Sequence, residues 1–166
     1  MKNYKIIGAI ALFVSCSVMS AQTPNLVMNG SFEKTSRHVH GYGDARFADS
    51  VSSSNNTTVD LYSADACGND FDVPSNYMGT QGSKEGNNYI GLIAYMADDA
   101  GIFKTKPGYR KYSEYVQMTL AEPMIAGKSY VIPFSASLAE KSAYAVSGLG
   151  VYFTKSKMDV NHNAFL

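Results

Sequence analysis

The side chains best suited to binding chemistry are concentrated between positions 109 and 117. This stretch combines aromatic rings with hydrogen-bonding groups, namely Tyr109, Arg110, Tyr112, Glu114, Tyr115 and Gln117. Sugar-binding proteins stack pyranose rings on exposed aromatic faces and hold the hydroxyls with neighbouring polar groups. The cluster therefore predicts a glycan-binding face made by Tyr109, Arg110, Tyr112, Tyr115 and Gln117, if that face is solvated. The alternative is a strand buried on both faces, in which the tyrosines line the interior.

Two shorter patterns carry metal-ligand atoms, and neither is complete. Asp159, Asn161 and Asn163 are spaced like the start of an EF-hand loop, but Ala164 stands where the turn glycine belongs. His38 and His40 lie on one face of an extended chain and could chelate a metal, although a solvated loop is the simpler interpretation. No set of cysteines and histidines has the spacing of a zinc site.

Catalytic signatures are absent from the sequence. It contains no Gly-x-Ser-x-Gly elbow, P-loop, His-Glu-x-x-His or dinucleotide-binding fingerprint. Asp98 and Asp99 are adjacent, so on a strand they point to opposite faces and do not make a glycosidase pair. The 14 Lys and Arg balance the 14 Asp and Glu, which argues against a general nucleic-acid binder. The sequence predicts a non-catalytic protein.

The first 21 residues have the pattern of an export signal. Lys2 and Lys5 precede an apolar run of nine residues, 6–14, and small residues follow up to Ala21. This run is too short to span a bilayer, so the pattern predicts a signal peptide, 1–21, and a mature domain, 22–166. Cys16 leaves a second route open, in which the cysteine carries a lipid anchor. Both routes lead to the periplasm, the outer membrane or the cell surface.

Hydrophobic periodicity predicts the strands that must position these groups. Apolar residues alternate with polar ones over 112–120, 130–138 and 149–153, whereas 89–95 is almost continuously apolar. Alternation is typical of half-buried strands, and the continuous run is typical of a central strand buried on both faces. Turn residues separate these stretches, and no helix of ten residues or more is predicted. The expected fold is an all-β antiparallel sandwich.

Several sequence blocks narrow this expectation to a family. Asn25 to Glu33, NLVMNGSFE, resembles the opening strand of galactose-binding-like jelly rolls, which include many carbohydrate-binding modules. Further blocks follow in the order of one envelope domain, namely TVDLYSADAC (58–67), VPSNYMGTQ (73–81), NNYIGLIAY (87–95), YSEYVQMTL (112–120) and the stretch 126–154. That domain occurs in Gram-negative bacteria with the type nine secretion system. It often precedes an outer-membrane-protein-A-like peptidoglycan-binding domain or occurs in gliding-associated lipoproteins.

The resemblance implies a non-catalytic envelope binding or scaffolding module, with envelope proteins or glycans as partners. It also implies that Glu33 helps to hold a structural calcium ion, for which a capping or solvated glutamate is the alternative. The chain departs from the family at Ala48 to Ser50, where a Trp is usual, and at Ser36 to His40, where a cysteine could otherwise pair with Cys67. The family's domain also continues beyond Phe153 with further strands. The resemblance therefore predicts a jelly roll without its C-terminal strands. Either the partner strands come from elsewhere, or the chain is a fragment of a longer product, in which a peptidoglycan-binding domain could follow downstream; the fragment is the favoured interpretation.

Overall fold

The computed structural model describes residues 25–96 and 112–160, and its regular structure in these ranges is all-β. Six short strands are present: β1 (Val51–Ser53), β2 (Asp60–Ser63), β3 (Ser75–Asn76), β4 (Gly79–Thr80), β5 (Asn88–Gly91) and β6 (Val116–Met118). A single turn of 3-10 helix, Asp44–Phe47, precedes β1. The all-β prediction is confirmed at this level. The described part of the chain holds no helix with the length and apolar character needed to span a bilayer.

The strands pair as three small antiparallel sheets. β1 pairs with β6, so that Val51 lies opposite Met118, and β2 pairs with β5, so that Leu61 lies opposite Ile90. β3 and β4 form a two-residue hairpin. Beyond β6, an isolated bridge joins Val27 to Leu120, which brings the start of the described chain to the same region. The strand pattern expected for 112–120 is confirmed in its centre.

The hydrophobic core lies between the β1–β6 and β2–β5 pairs and the 3-10 helix. Its buried members are Val39, Ala45, Ala48, Val51, Val59, Leu61, Tyr62 and Phe71. Leu61 is 1% exposed and is the largest fully buried side chain of the described ranges. The core is small because most large apolar side chains of the segment 122–157 stay exposed and do not join it.

The strand predicted over 89–95 is shorter and more exposed than its apolar run suggests. β5 ends at Gly91, and Leu92 and Tyr95 are 40% and 55% exposed. Past β5 the chain turns to residues 112–114 instead, since the Glu114 N–H donates to the Ile93 carbonyl and the Met96 N–H to the Tyr112 carbonyl. The prediction of a central strand buried on both faces is therefore wrong.

The segment 122–157, called here the exposed ribbon, contains no strand and forms no β-bridge with another described segment. The strands predicted over 130–138 and 149–153 do not form, because no described segment pairs with them. Three anchors hold the exposed ribbon to the body. Just before its start, the Ala121 N–H donates to the Leu26 carbonyl at 2.8 Å. Near its middle, the Lys141 N–H donates to the Met78 carbonyl at 3.1 Å, and beyond its end the Val160 N–H donates to the Ser54 carbonyl at 3.0 Å.

Candidate functional site

Strand β6 contains one of the residues predicted to bind a glycan, Gln117. As its alternation predicts, Val116 and Met118 pack against the core. Gln117 lies on the other face, where its Nε2 donates to the carbonyls of Ser53 at 3.1 Å and Met158 at 2.7 Å. Its Oε1 accepts the Met158 N–H at 3.0 Å. The amide of Gln117 is therefore occupied by the chain's own backbone and holds the end of the exposed ribbon against β6.

The aromatic members of the predicted glycan face are dispersed. Tyr112 is only 3% exposed, so the expectation that its ring offers a stacking surface is wrong. The Tyr112 hydroxyl can be buried because it has hydrogen-bond partners in the interior. It donates to Glu114 Oε1 at 2.6 Å and accepts the Thr58 N–H at 3.3 Å. Tyr115 is partly buried. Tyr109 and Arg110 lie outside the described residues, so the face predicted for them stays a prediction.

Glu114 is a buried carboxylate that joins three segments of the chain. It is 4% exposed, and its Oε2 accepts the Ile93 N–H at 2.7 Å while Oε1 accepts the Tyr112 hydroxyl. Thr58 Oγ1 lies 3.4 Å from Oε1. Burial raises the pKa of Glu114 to about 7, against the lowering effect of the hydrogen bonds from Tyr112 and Ile93. The negative charge of Asp60 raises that pKa further.

Asp60, on β2, is a second buried carboxylate, and it lies beside a cluster of aromatic rings. It accepts the Gly43 N–H at 2.7 Å and the Tyr77 hydroxyl at 2.9 Å, and burial raises its pKa. The Tyr62 ring stacks on that of Tyr89 at 4.9 Å between centroids. The cluster also contains Phe71, Tyr77 and the exposed Tyr42. Sequence reasoning missed Asp60, for which an acidic residue inside a strand such as TVDLYS is the available signal, and it placed Glu114 in the predicted sugar-binding cluster instead of the interior.

Glu33, the predicted calcium ligand, caps a turn. Its Oε1 accepts the backbone N–H groups of Asn87 at 3.0 Å and Asn88 at 2.9 Å. Both residues lie at the start of β5, so the carboxylate fixes the entry to that strand. Glu33 also borders a cleft of about 400 Å³ together with Arg37, His38 and other polar residues. These contacts are those of a capping glutamate, and the calcium role stays a prediction.

The remaining metal-ligand patterns are not assembled into a site. His38 Nδ1 lies 3.2 Å from the Asp65 carbonyl oxygen, whereas the backbone of His40 donates to the buried Asp44. Of the EF-hand-like pattern, only Asp159 is described, and it is exposed. Within 25–96 and 112–160, no three His, Cys, Asp or Glu side chains are grouped to hold a metal ion.

The exposed ribbon carries most of the exposed large hydrophobic side chains of the described chain. Twelve of its large apolar side chains are at least one third exposed: Met124, Ile125, Val131, Ile132, Phe134, Leu138, Tyr144, Val146, Leu149, Val151, Tyr152 and Phe153. Exposed apolar side chains are a common feature of interaction sites in soluble proteins. No backbone–backbone hydrogen bond joins residues 129–138 or 143–157 to another described residue. The ribbon thus offers apolar side chains and backbone groups together.

Comparison of the chain with family models, with curated proteins and with solved structures finds no significant match. The function is therefore argued from the sequence and from this geometry.

Proposed function

We propose that the chain is an exported, non-catalytic binding or scaffolding module of the bacterial envelope, and that it works through the exposed ribbon. The single observation that carries the proposal is the ribbon itself, in which Val131 is 90% exposed and Phe134 59% exposed, on a backbone that no other described segment pairs with. A segment with exposed apolar side chains and unpaired backbone groups is suited to strand addition, because main-chain hydrogen bonds supply affinity and side chains supply specificity.

The anchoring of the ribbon supports a binding role. An unanchored apolar segment would lose much conformational entropy on binding a partner. Here the ends and the middle are fixed by hydrogen bonds, including one from the Thr80 N–H to Glu140 Oε2 at 2.9 Å. The ribbon is therefore held close to the conformation in which it would bind, which lowers the entropic cost of association.

We infer a galactose-binding-like jelly roll as the finer fold and residues 1–21 as the export signal. The jelly roll is supported by the order of the sequence blocks from Asn25 onward and by the antiparallel pairs β1–β6 and β2–β5. The export signal is supported by its charged, apolar and small-residue regions. In this proposal the partner is an envelope protein, and gliding motility or the anchoring of outer-membrane proteins is the context that the resemblance implies.

Site-specific photocrosslinking in an exporting bacterial host tests the proposal. A photoreactive residue is placed at Val131 or at Tyr152 on the ribbon, and the control position is the exposed Lys84, which lies outside the ribbon. We expect the chain in the envelope fraction and crosslinked species from the two ribbon positions but not from position 84. A chain that stays in the cytoplasm, or ribbon positions that crosslink no more than position 84, would refute the proposal.

Glycan binding is the second candidate, and the structure offers it less support. Its remaining observation is the partly buried Tyr115, which lies next to β6, whereas Tyr112 and Gln117 are already engaged within the chain. A glycan array probed with the intact chain and with Tyr115→Ala tests it. Binding that the substitution abolishes would favour this candidate over the scaffolding role.

A further inference from the structure

We propose that residues 129–139 of the exposed ribbon pair antiparallel with the same residues of a second copy, which makes a symmetric strand-mediated dimer. The inference rests on the proposed binding role of the ribbon and names its partner. It follows from the charge pattern, the apolar pattern and the position of one proline, which together define a single register.

The charge pattern favours self-pairing. Residues 129–139 carry no charge, and the stretch is bounded by Lys128 on one side and Glu140 on the other. In an antiparallel pair centred on Phe134, Lys128 of one copy lies opposite Glu140 of the other. Opposite charges directly across a strand pair are favourable, and like charges there are unfavourable. Two copies in this register therefore place complementary charges at both ends and none between them.

The apolar residues match across the same centre. Phe134 faces Phe134 of the second copy, Ile132 faces Ala136, and Tyr130 faces Leu138. All of these side chains lie on one face, because successive residues of a strand alternate between faces. On either side of the central Phe pair, Ile132 is therefore opposite the smaller Ala136, and Tyr130 is opposite the flexible Leu138. Cross-strand aromatic and aliphatic contacts of this kind are what stabilise paired strands.

Pro133 selects the hydrogen-bonding phase of the pair. Directly opposed residues alternate between pairs that exchange both N–H···O bonds and pairs that exchange none. If Phe134 is a hydrogen-bonded pair, every even-numbered residue from 130 to 138 directs its N–H at the partner. The odd-numbered residues, Pro133 among them, then direct theirs away. Because Pro133 has no backbone N–H, this phase loses no hydrogen bond of the ladder. In the opposite phase, the two copies of Pro133 would remove two hydrogen bonds between the strands.

The ribbon is accessible for this pairing in the described structure. Every residue from Val131 to Leu138 is exposed. No backbone–backbone hydrogen bond links 129–138 to the rest of the described chain. The dimer can therefore form without breaking a backbone hydrogen bond between described residues.

Two proline variants test the phase. Ala136→Pro removes a donor that the dimer needs, whereas Ser137→Pro removes one that points away from the partner. Sedimentation equilibrium of the processed, exported chain is expected to show a monomer–dimer equilibrium. Ala136→Pro is expected to weaken the dimer at least tenfold, and Ser137→Pro to leave it within about threefold of the unmodified chain. Monomer at all concentrations, or equal effects of the two prolines, would overturn the proposal.

Disulfide trapping gives a second measurement that does not depend on weakening the dimer. Hydrogen-bonded antiparallel pairs have Cα atoms about 5.5 Å apart, which lies within the range that a disulfide spans. In a Cys67→Ser background, Phe134→Cys should therefore form a covalent dimer under mild oxidation. Val131→Cys is the control, because six residues of offset place the two copies of position 131 about 20 Å apart in this register.

The outcomes separate this inference from the proposed function. Efficient trapping at position 134 with little at position 131 supports the self-pairing register. Equal trapping at both positions, or trapping at neither, overturns it. A monomeric chain whose ribbon crosslinks to another envelope protein overturns the self-pairing inference and leaves the scaffolding role standing. A dimer in a chain that never leaves the cytoplasm would overturn the proposed function and leave the dimer standing.

Discussion

The buried carboxyl group of Glu114 makes a specific prediction about how stability depends on pH. Glu114→Gln replaces the carboxyl by a neutral amide of the same shape. The amide oxygen can still accept the Ile93 N–H, which lies 2.7 Å from the carboxylate in the native chain. The amide nitrogen can donate to the Tyr112 hydroxyl. The substitution therefore imitates the protonated carboxyl and removes only the ability to ionise.

The expected size of the pH effect on the free energy of unfolding follows from the pKa of Glu114, which burial raises from its ordinary value of 4.5 to about 7. A group whose pKa is higher in the folded state stabilises the fold when protonated. Its contribution is complete below pH 4.5 and is lost as the pH rises through 7. One pH unit corresponds to about 1.4 kcal/mol, so a gap of roughly 2.5 pH units is worth up to about 3 kcal/mol. Asp60 acts in the same direction, because burial raises its pKa as well.

Urea unfolding at a series of pH values from 4.5 to 8.5 measures this effect. The free energy of unfolding of the unmodified chain should fall by roughly 3 kcal/mol across the series, and Glu114→Gln should remove most of that fall. Glu85→Gln is the matched control, because Glu85 is exposed and should leave the pH profile unchanged. Parallel profiles for the unmodified chain and Glu114→Gln would refute the reasoning, since they would mean that Glu114 ionises as easily in the fold as in water.

Two further predictions concern contacts that fix the chain's turns and the ribbon. Gly86→Ala should lower the free energy of unfolding by more than about 1 kcal/mol in a urea titration. The reason is that φ of Gly86 is +66° and the new Cβ would lie 2.5 Å from the Glu33 carboxyl carbon. Gly82 has open space around it, so the control Gly82→Ala should change the free energy of unfolding by less than about 0.5 kcal/mol in the same titration. Gln117→Ala should release the end of the ribbon, because it removes both hydrogen bonds to Met158. Hydrogen exchange at the Met158 backbone N–H should then become at least tenfold faster. An unchanged rate would show that the Gln117 side chain does not hold the end of the ribbon.

Local pattern was enough to predict some of this fold. The alternation around β6 correctly placed Val116 and Met118 on the core side, because the period of two is a property of the strand itself. This prediction succeeded because it needed no knowledge of which segment lies opposite.

Predictions that depended on a distant partner failed. The alternation over 130–138 indicates a strand, but a strand forms only where another segment supplies the ladder, and no described segment does so. The burial of Asp60 and Glu114 was missed for a related reason. A single acidic residue looks solvated in a sequence, and only the folded chain shows that Gly43 and Ile93 donate to these carboxylates.

Three polar side chains of 113–117 are engaged within the chain, and for that reason we propose the ribbon, and not β6, as the binding surface. Ser113 donates to the Ala94 carbonyl at 2.6 Å, Glu114 accepts the Ile93 N–H, and Gln117 exchanges two hydrogen bonds with Met158. Each of these side chains satisfies backbone groups of a segment that has no continuous ladder of its own. A side chain used in this way is not available to a ligand unless the ligand replaces those bonds. Among the described residues, the backbone groups of 129–138 take part in no backbone–backbone hydrogen bond, so a strand of matching register can pair with them without breaking such a bond between described residues.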